Sequence, residues 1–438
     1  MASTFFGLTI AYSGLQAANT SLTITGHNVS NINTKGYTKQ QAGTQAADAL
    51  RTHTTYGAIG SGVVVTEISQ IRDSYYDVKY RNNMANYGQY SVKESYMGQI
   101  EDYLDEFTLN GYSQEYKNFF SAVNQLTITP GDTSAKNQLI NNAKSLADYF
   151  NTLTTNLRNV QADANNEIKD AVQQINSYAK NIAALNRQIN QIEANYGNAN
   201  DLRDKRNAMI DELSEIVNLE TSEEDMGNNV SNFSVRINGQ TLVSSYSYNT
   251  LETVARTDKK NYSDAEGLYD VQWNSGQKFD MYSTSLSGHL KGLIDIRDGN
   301  NGEHENIETD DDGNNVTDSD GNLVLTTAPA ADKTVSYKGV PYYQAQLNEF
   351  AKIFSDAVNK IMKSGYTSDG SSKGISLFVT QPNTTVMSAG NITVNPELLK
   401  NADLLAIKKE QNDGESDAKI MEELNKLQSE KIFAGGTG

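Results

Sequence analysis

From Asp132 to Tyr196 the chain reads DTSAKNQLINNAKSLADYFNTLTTNLRNVQADANNEIKDAVQQINSYAKNIAALNRQINQIEANY, with neither Gly nor Pro. Leu146, Phe150, Leu153, Leu157, Val160, Ala164, Ile168, Ala171, Ile175, Tyr178, Ile182, Leu185, Ile189 and Ile192 recur at steps of three and four, which predicts an amphipathic helix, broken at most once. At a rise of ~1.5 Å per residue, an unbroken helix of this length spans on the order of 95 Å, far beyond the ordinary globular helix. It needs long partners to cover its apolar stripe. Gly197-Asn198-Ala199-Asn200 turns the chain, and Asp201 opens a second helix with Leu202, Met209, Leu213 and Ile216 on one face. An antiparallel helical hairpin follows.

The flanking segments extend this reading in both directions. Near the start, Leu8, Ala11, Leu15, Ala18, Leu22, Thr25, Val29 and Ile32 alternate steps of three and four, the seam by which one helix buries itself against another. Asn28, Asn31 and Asn33 before Gly36 then end that helix. Gly57 to Arg81 reads as a Gly-punctuated turn, a strand through Val63-Val64-Val65 and a helix start. There Ser74 and Asp77 have capping-box spacing, and Asp77 with Arg81 has ion-pair spacing. After Asn218 the pattern shortens to alternating runs, with Phe233 to Ile237 before an Asn238-Gly239 turn, Thr241 to Val243, and Tyr269 to Trp273. Asp298 to Asp320 is acidic and Gly-rich and reads as a surface loop without periodicity, and Val335 to Pro341 reads as a further short strand. Helical spacing resumes at Leu347, Phe350, Phe354, Val358 and Ile361, ending at Gly365. Ile392 to Leu399 begins another stretch of structure, and Ile420, Leu424 and Leu427 mark a last helix before a Gly-rich end.

The expected organisation is a mainly α fold. Its elongated helical-bundle rod is formed by the N- and C-terminal parts of the chain, with a β-rich inserted domain between them. The expected divisions are an assembly helix at 1–34, the first part of the bundle at 35–218, a surface-exposed β-rich insertion at 219–341, and the return to the bundle at 342–438.

Charge excludes several partners. The chain's 438 residues carry 36 Lys and Arg against 54 Asp and Glu, a net charge of −18, which repels phosphate backbones and anionic lipid. Nucleic acid and membrane are therefore not expected partners. No run of about 18 apolar residues offers a transmembrane span. The first basic residue is Lys35, and Phe5 to Leu22 is interrupted by Thr, Ser, Asn and Gln, so no cleaved signal peptide is expected. Zero cysteines rule out disulfides and thiol chemistry, which suits a protein exported unfolded through a narrow channel.

Catalytic and metal motifs fail on inspection. The histidines at 27, 53, 289 and 304 show no metal-ligand spacing, and the zincin-like His304-Glu305 is followed by Glu308 where a second His is required. Glu308, Asp310, Asp312 and Gly313 echo an EF-hand, but the twelfth position is Ser319. Gly60-x-Gly62 precedes its strand instead of following it, unlike a phosphate loop. No catalytic residue, cofactor or metal is expected, and the chain does not read as an enzyme. Tyr is abundant, 24 against 12 Phe and one Trp, which suits interfaces as well as half-wet cores.

Asn28-Val29-Ser30-Asn31 and Thr34-Lys35-Gly36-Tyr37 resemble the N-terminal signature of the flagellar axial proteins. Asp201-Leu202-Arg203-Asp204-Lys205-Arg206 with Ile210 to Ser214, Ser287 to Asp298 and Ile392 to Pro396 are similar, within that superfamily, to the hook-associated protein 1 (FlgK) family. The family-motif positions are Asn28, Asn31, Thr34, Gly36, Tyr37, Leu202, Arg203, Asp204 and Arg206. The resemblance implies an extracellular structural subunit at the hook–filament junction, exported by the flagellar type III pathway and assembling through paired terminal helices. It further implies as partners copies of itself, hook protein, a second, filament-side hook-associated protein, and an export chaperone acting at the C-terminus. The family ends in a long apolar helix that pairs with the N-terminal one. This chain stops before it, which leaves the 8-to-32 seam without that partner. A different class of reading is a secreted adhesin that binds a host ligand through the β-rich insertion, suggested by the Tyr content and acidic loops.

Overall fold

The computed structural model describes residues 5–51, 57–104, 111–330, 334–382, 384–414 and 416–429. Among them the helices are α1 (Phe6–Ser30), α2 (Ser74–Leu104), α3 (Tyr112–Ile128), α4 (Thr133–Glu193), α5 (Asn200–Ile216), α6 (His289–Asp298), α7 (Val340–Ser364), α8 (Pro396–Lys400) and α9 (Lys419–Leu427). The chain forms two compact units. One comprises Met1–Ser91, Lys169–Thr253 and Val271–Gly292; the other comprises Val92–Ile168, Val254–Asp270 and Leu293–Gly438. Helices α2 and α4 contribute residues to both, and the segment 219–341 is likewise divided between them.

Helix α4 runs its 61 residues without a break. Its start is capped by Asp132, whose Oδ1 accepts from the Ser134 amide at 2.8 Å. The predicted stripe is buried from Leu146 to Ile189 with one exchange: Ala179 takes an interior place and Tyr178 is only half-buried. Ile192, at the end of the stripe, is exposed. Past Glu193 the chain leaves the helix through Tyr196 at φ 59°.

In the first unit α5 returns along α4. Arg203 binds Glu193, Arg206 binds Asn186 and Glu212 accepts from the Tyr178 hydroxyl, so partners on α4 descend as α5 advances and the hairpin is antiparallel. Strands Glu220–Asp225, Ser231–Ile237, Gln240–Ser244 and Ser247–Tyr248 form an antiparallel sheet in sequence order. Its central turn is Asn238-Gly239, both at positive φ (50° and 76°), as a type I′ hairpin requires. Asn186 and Asn190 of α4 donate to the Ser245 and Ser231 carbonyls and so fix the sheet to the helix.

Glycine sets the closest approach in this unit. A Cβ on Gly88 of α2 would lie 2.2 Å from the Glu215 carbonyl oxygen, and one on Gly288, at φ +104°, would lie 2.6 Å from that of Ile216. Helix α2, the end of α5 and the start of α6 meet there backbone to backbone.

The second unit closes on Phe119 and Phe120 of α3, Leu139, Leu146 and Phe150 of α4, Phe354, Val358 and Met362 of α7, and Ile420 and Leu424 of α9. Phe354 lies 5.7 Å from both Phe119 and Phe378, ring centre to ring centre. A buried polar cluster lies elsewhere in the unit: Arg297 and Arg256 both pair with Asp298, and Arg297 also donates to Asn165 and the Tyr269 carbonyl. Burial would push the Asp298 carboxyl up, but the two guanidinium groups overcome it and hold the carboxyl far below the usual range.

Three local expectations are corrected. Val335–Pro341 is not a strand: α7 begins at Val340, and Pro341 sits in its first turn, where a missing amide costs nothing. Asp298–Asp320 is not an aperiodic loop. Asp298 ends α6, Glu303–Ile307 pairs with Leu325–Pro329, and two turns eight residues apart repeat one design. In each, an Asp (310 or 318) accepts from the amide two residues on and from that of an Asn four residues on. Helix α2 is not capped by a Ser74–Asp77 box. Asp73 accepts from the Tyr75 amide, Asp77 pairs with Arg72 and Arg81 reaches Asp211, because a long-range carboxylate on α5 competes better than the local one.

The close packing at Gly88 gives a paired prediction. Gly88→Ala should destabilise the chain by about 1–3 kcal/mol, because helix backbones must separate. Gly98→Ala in the same helix has open space and should stabilise by about 0.5–1 kcal/mol. Urea unfolding followed by circular dichroism measures both.

The Asp298 cluster gives a second. Asp298→Asn removes the buried carboxylate that Arg297 and Arg256 share, Arg256 keeping its pair with Asp270, and should cost about 3–5 kcal/mol at pH 7. Because the folded carboxyl is held low, its contribution is full above the unfolded value of about 3.9 and is lost as pH falls below it. The gap between wild type and variant, measured by urea unfolding at pH 7 and pH 3, should therefore narrow in acid.

Candidate assembly surface

Helix α1 has two unlike faces. Ala17 and Ile24 are its buried residues, and the face that carries them lies on an antiparallel hairpin of strands Gln40–Ala46 and Val63–Gln70. Ser13 Oγ accepts from the Val63 amide at 3.2 Å, and Gly62, at φ +112°, brings its backbone so close that a Cβ would lie 2.2 Å from that oxygen. The opposite face is bare. Leu8, Leu15, Leu22 and Val29 are 59–70% exposed, Ala11, Ala18 and Thr25 are exposed beside them, and Ile32, also exposed, lies just beyond the helix end at Ser30. Phe5 and Tyr12, which the seam did not include, extend the exposed apolar face, and a groove of about 470 Å³ runs along Leu8, Ala11, Tyr12 and Leu15.

The hairpin and α1 are joined through the motif residues. Asn28 closes a two-way bond with the backbone of Gln40, its Nδ2 donating to the carbonyl and its Oδ1 accepting from the amide, both at 2.9 Å. The Tyr37 hydroxyl donates to Asn28 Oδ1 at 2.8 Å and lies 3.0 Å from His27 Nδ1. Asn31 Nδ2 donates to the His27 carbonyl and its Oδ1 accepts from Thr34 Oγ1. Gly36, at φ +80°, packs where a Cβ would lie 2.9 Å from the Ala208 Cβ of α5. Only Gly combines that backbone with that contact.

The second motif meets the first from α5. Asp204 Oδ2 accepts from the Thr38 amide at 2.9 Å, Asp201 accepts from Gln40, and Lys35 pairs with Glu212 at the surface. Burial raises the Asp204 carboxyl above its ordinary range against the lowering effect of the Thr38 bond. Arg203 makes a bidentate pair with Glu193 and reaches Glu223. Arg206 lies 3.8 Å from the Phe233 ring centre, binds Asn186 and Glu223, and is pulled down by burial to about 10, still charged at neutral pH. Leu202 is half-buried in the first turn of α5.

The sequence-selected motif residues thus come together as a structural joint, with Tyr37, Asp204 and Glu212 around a cavity of about 440 Å³. The stripe residues form one bare face instead of a site. Among the described residues no three His, Asp or Glu side chains converge as metal ligands, and no helix is long and apolar enough to cross a membrane. His53 lies outside the described residues. Of the acids in the EF-hand echo, Asp310 accepts from the Asp312 and Asn314 amides of its own turn.

An exposed, uncharged helix face beside a hydrogen-bonded joint is the kind of surface by which proteins assemble. A family model described as the FlgK helical domain matches residues 97–378, well over half of the chain, and the chain belongs to the flagellar hook-associated protein FlgK family. It is 27% identical over 390 residues to flagellar hook-associated protein 1 of Bacillus subtilis, covering 85% of this chain and 70% of that one. It is 33% identical over 219 residues to flagellar hook-associated protein 1 of Salmonella typhimurium, covering half of this chain and 39% of that one. Its fold matches the flagellar hook junction protein FlgK of Burkholderia pseudomallei with a TM-score of 0.51 at 23% identity, over 68% of this chain and 46% of that one. The match to the helical-domain family runs through the β-rich segment and gives the adhesin alternative no support.

Sequence reasoning missed the joint's acceptors, Glu193, Glu223, Asn186 and Asp211, since nothing local marks a carboxylate that answers a distant Arg. It also passed over exposed tyrosines on α2, although their spacing was readable.

The joint yields a third prediction. Asn28→Ala removes both partners of the Gln40 backbone and one of Tyr37, and should cost about 1–3 kcal/mol locally. Hydrogen exchange at the Gln40 amide should accelerate by one to two orders of magnitude, on the order of the same energy, while α4 amides keep their protection.

Proposed function

We propose that this chain is a structural subunit of the bacterial flagellum at the hook–filament junction, exported through the flagellar type III pathway and acting outside the cell. The observation that carries the proposal is the exposed 3–4 stripe of α1, Leu8, Leu15, Leu22 and Val29, held in place by its opposite face on the hairpin. In this reading residues 1–34 are the assembly helix, and its seam pairs with helices of neighbouring axial subunits, including copies of the same chain, hook protein and a second, filament-side hook-associated protein. The bundle, first from 35–218 and again from 342 onward, is the rod that spaces these contacts, and the β-rich 219–341 faces outward. The motif residues of the α1–hairpin–α5 joint set the angle at which the seam is presented. The role is mechanical, not catalytic: apolar area on a pre-formed helix supplies association without folding cost.

The test separates assembly from folding. Leu8→Ser with Leu15→Ser and Leu22→Ser alters only exposed positions, so circular dichroism and thermal stability should match wild type. Filament attachment in cells whose only copy is this variant should be lost. Normal motility and filament length with the variant would contradict the proposal.

A further inference from the structure

The second unit holds two buried carboxyls that the assembly role leaves unused. Asp264 and Glu305 are 2% and 4% exposed, and among the described residues every hydrogen bond to either carboxyl comes from an uncharged group. Asp264 Oδ1 accepts from Gln161 Nε2 of α4 at 2.8 Å, and its Oδ2 accepts from the Asn261 amide at 2.9 Å. Glu305, in the strand Glu303–Ile307, accepts from Ser263 Oγ at 2.6 Å and from Asn348 Nδ2 of α7 at 2.7 Å. One short loop joins the two acids: the Glu305 amide donates to Asn261 Oδ1, and the Tyr262 amide donates to the Glu305 carbonyl. Asn348 Oδ1 carries the network on to the Ala389 amide.

We propose that Asp264 and Glu305 form a proton-dependent latch: while protonated they hold the 261–264 loop against α4, the Glu303–Ile307 strand and α7, and loss of a proton to solvent loosens that hold. The charges nearby do not neutralise them. Arg256 and Arg297 are engaged by Asp298, with Arg256 also on Asp270, and Arg158 donates to the Ser263 carbonyl. Lys352 of α7 lines a cavity of about 200 Å³ together with Glu305, Glu308 and Glu349, so acids outnumber it there. His304 precedes Glu305 in the strand. A buried carboxylate without a counter-ion is costly enough that the group takes up a proton instead. Burial, with repulsion from Asp298, raises the Asp264 carboxyl, and burial, with repulsion from Asp264, raises that of Glu305, in each case against the lowering effect of their hydrogen bonds. Protonation costs Glu305 no contact, because a proton on Oε2 can be donated to Ser263 Oγ across the same 2.6 Å. With both folded carboxyls raised above ordinary values of about 3.9 and 4.3, the latch is whole at and below those values and is lost as pH rises through the raised ones. Asp298, held far below its usual range, stays ionised throughout that window.

Amide hydrogen exchange by NMR on the full-length purified chain, corrected for the intrinsic pH dependence of exchange, reads the latch at Tyr262 and Ala389. Protection at both should fall by on the order of tenfold from pH 5 to pH 8, the effect of one carboxyl raised by about one unit. Glu305→Gln imitates the protonated acid, its amide donating to Ser263 Oγ, and should cut that fall to about threefold or less, with Asp264 alone remaining. The variant keeps His304, so any pH dependence that belongs to the imidazole persists in it. Wild-type protection that does not fall with pH, or a fall that Glu305→Gln leaves unchanged, overturns the inference. Should the variant fail to fold by circular dichroism, the ¹³C shift of the Glu305 carboxyl in wild type decides: a midpoint above about 4.3 supports the latch, and one at or below it refutes the latch.

Discussion

Burial of the α4 stripe is the constraint on which the rest of the structure depends. A 61-residue helix without Gly or Pro is locally favourable, but its apolar row must be covered along its whole length. Leu139, Leu146 and Phe150 are covered by α3, α7 and α9 around a phenylalanine cluster, and along Ile175, Ile182 and Ile189 the helix carries α5 and the four-stranded sheet. Polar side chains then fix where the covers sit. Asn186 and Asn190 bind the Ser245 and Ser231 carbonyls of the sheet, and the arginines of α5 bind Glu193 and Glu223, so apolar burial supplies the energy and hydrogen bonds supply the register.

The joint above α5 uses the same division of labour for a different end. Asn28, Tyr37 and Asp204 make directional bonds, and Gly36 allows the close approach to α5. They orient α1 by its polar and small-residue face, leaving the leucine face unused. A helix that buries Ala17 and Ile24 while leaving Leu8, Leu15 and Leu22 in water reverses the usual choice. The exposed leucines carry no charge among them and no charged neighbour on α1, so a partner helix can cover them without removing an ion from water.

Much of the helical layer was legible in the sequence because period and punctuation agreed. The α4 stripe, the turn at Gly197 and the resumption of helix toward Gly365 follow from spacing and punctuation, and the Asn238-Gly239 hairpin from residues that tolerate positive φ. The errors occurred where local and distant partners compete. Asp77 and Arg81 have ideal spacing for each other, yet each found a better partner elsewhere, one of them on α5. The 298–320 segment looked formless because its order comes from side chains bonding their own backbone, a design invisible to hydrophobic periodicity. Seam and motif were both visible, but their relation was not. The sequence places them a few residues apart, while the fold puts the motif on the side of α1 that faces its own hairpin and α5, with the seam on the other.

The central claim is that the leucine face of α1 is held bare for a neighbouring subunit. Electron cryomicroscopy of hook–filament junctions assembled with this chain tests it most directly, at a resolution that places side chains. The expected map shows Leu8, Leu15, Leu22 and Val29 within van der Waals distance of an adjacent subunit's helix, with the Asn28–Gln40 bonds intact. A map in which that face borders only solvent, or in which α1 has left its hairpin, would contradict it.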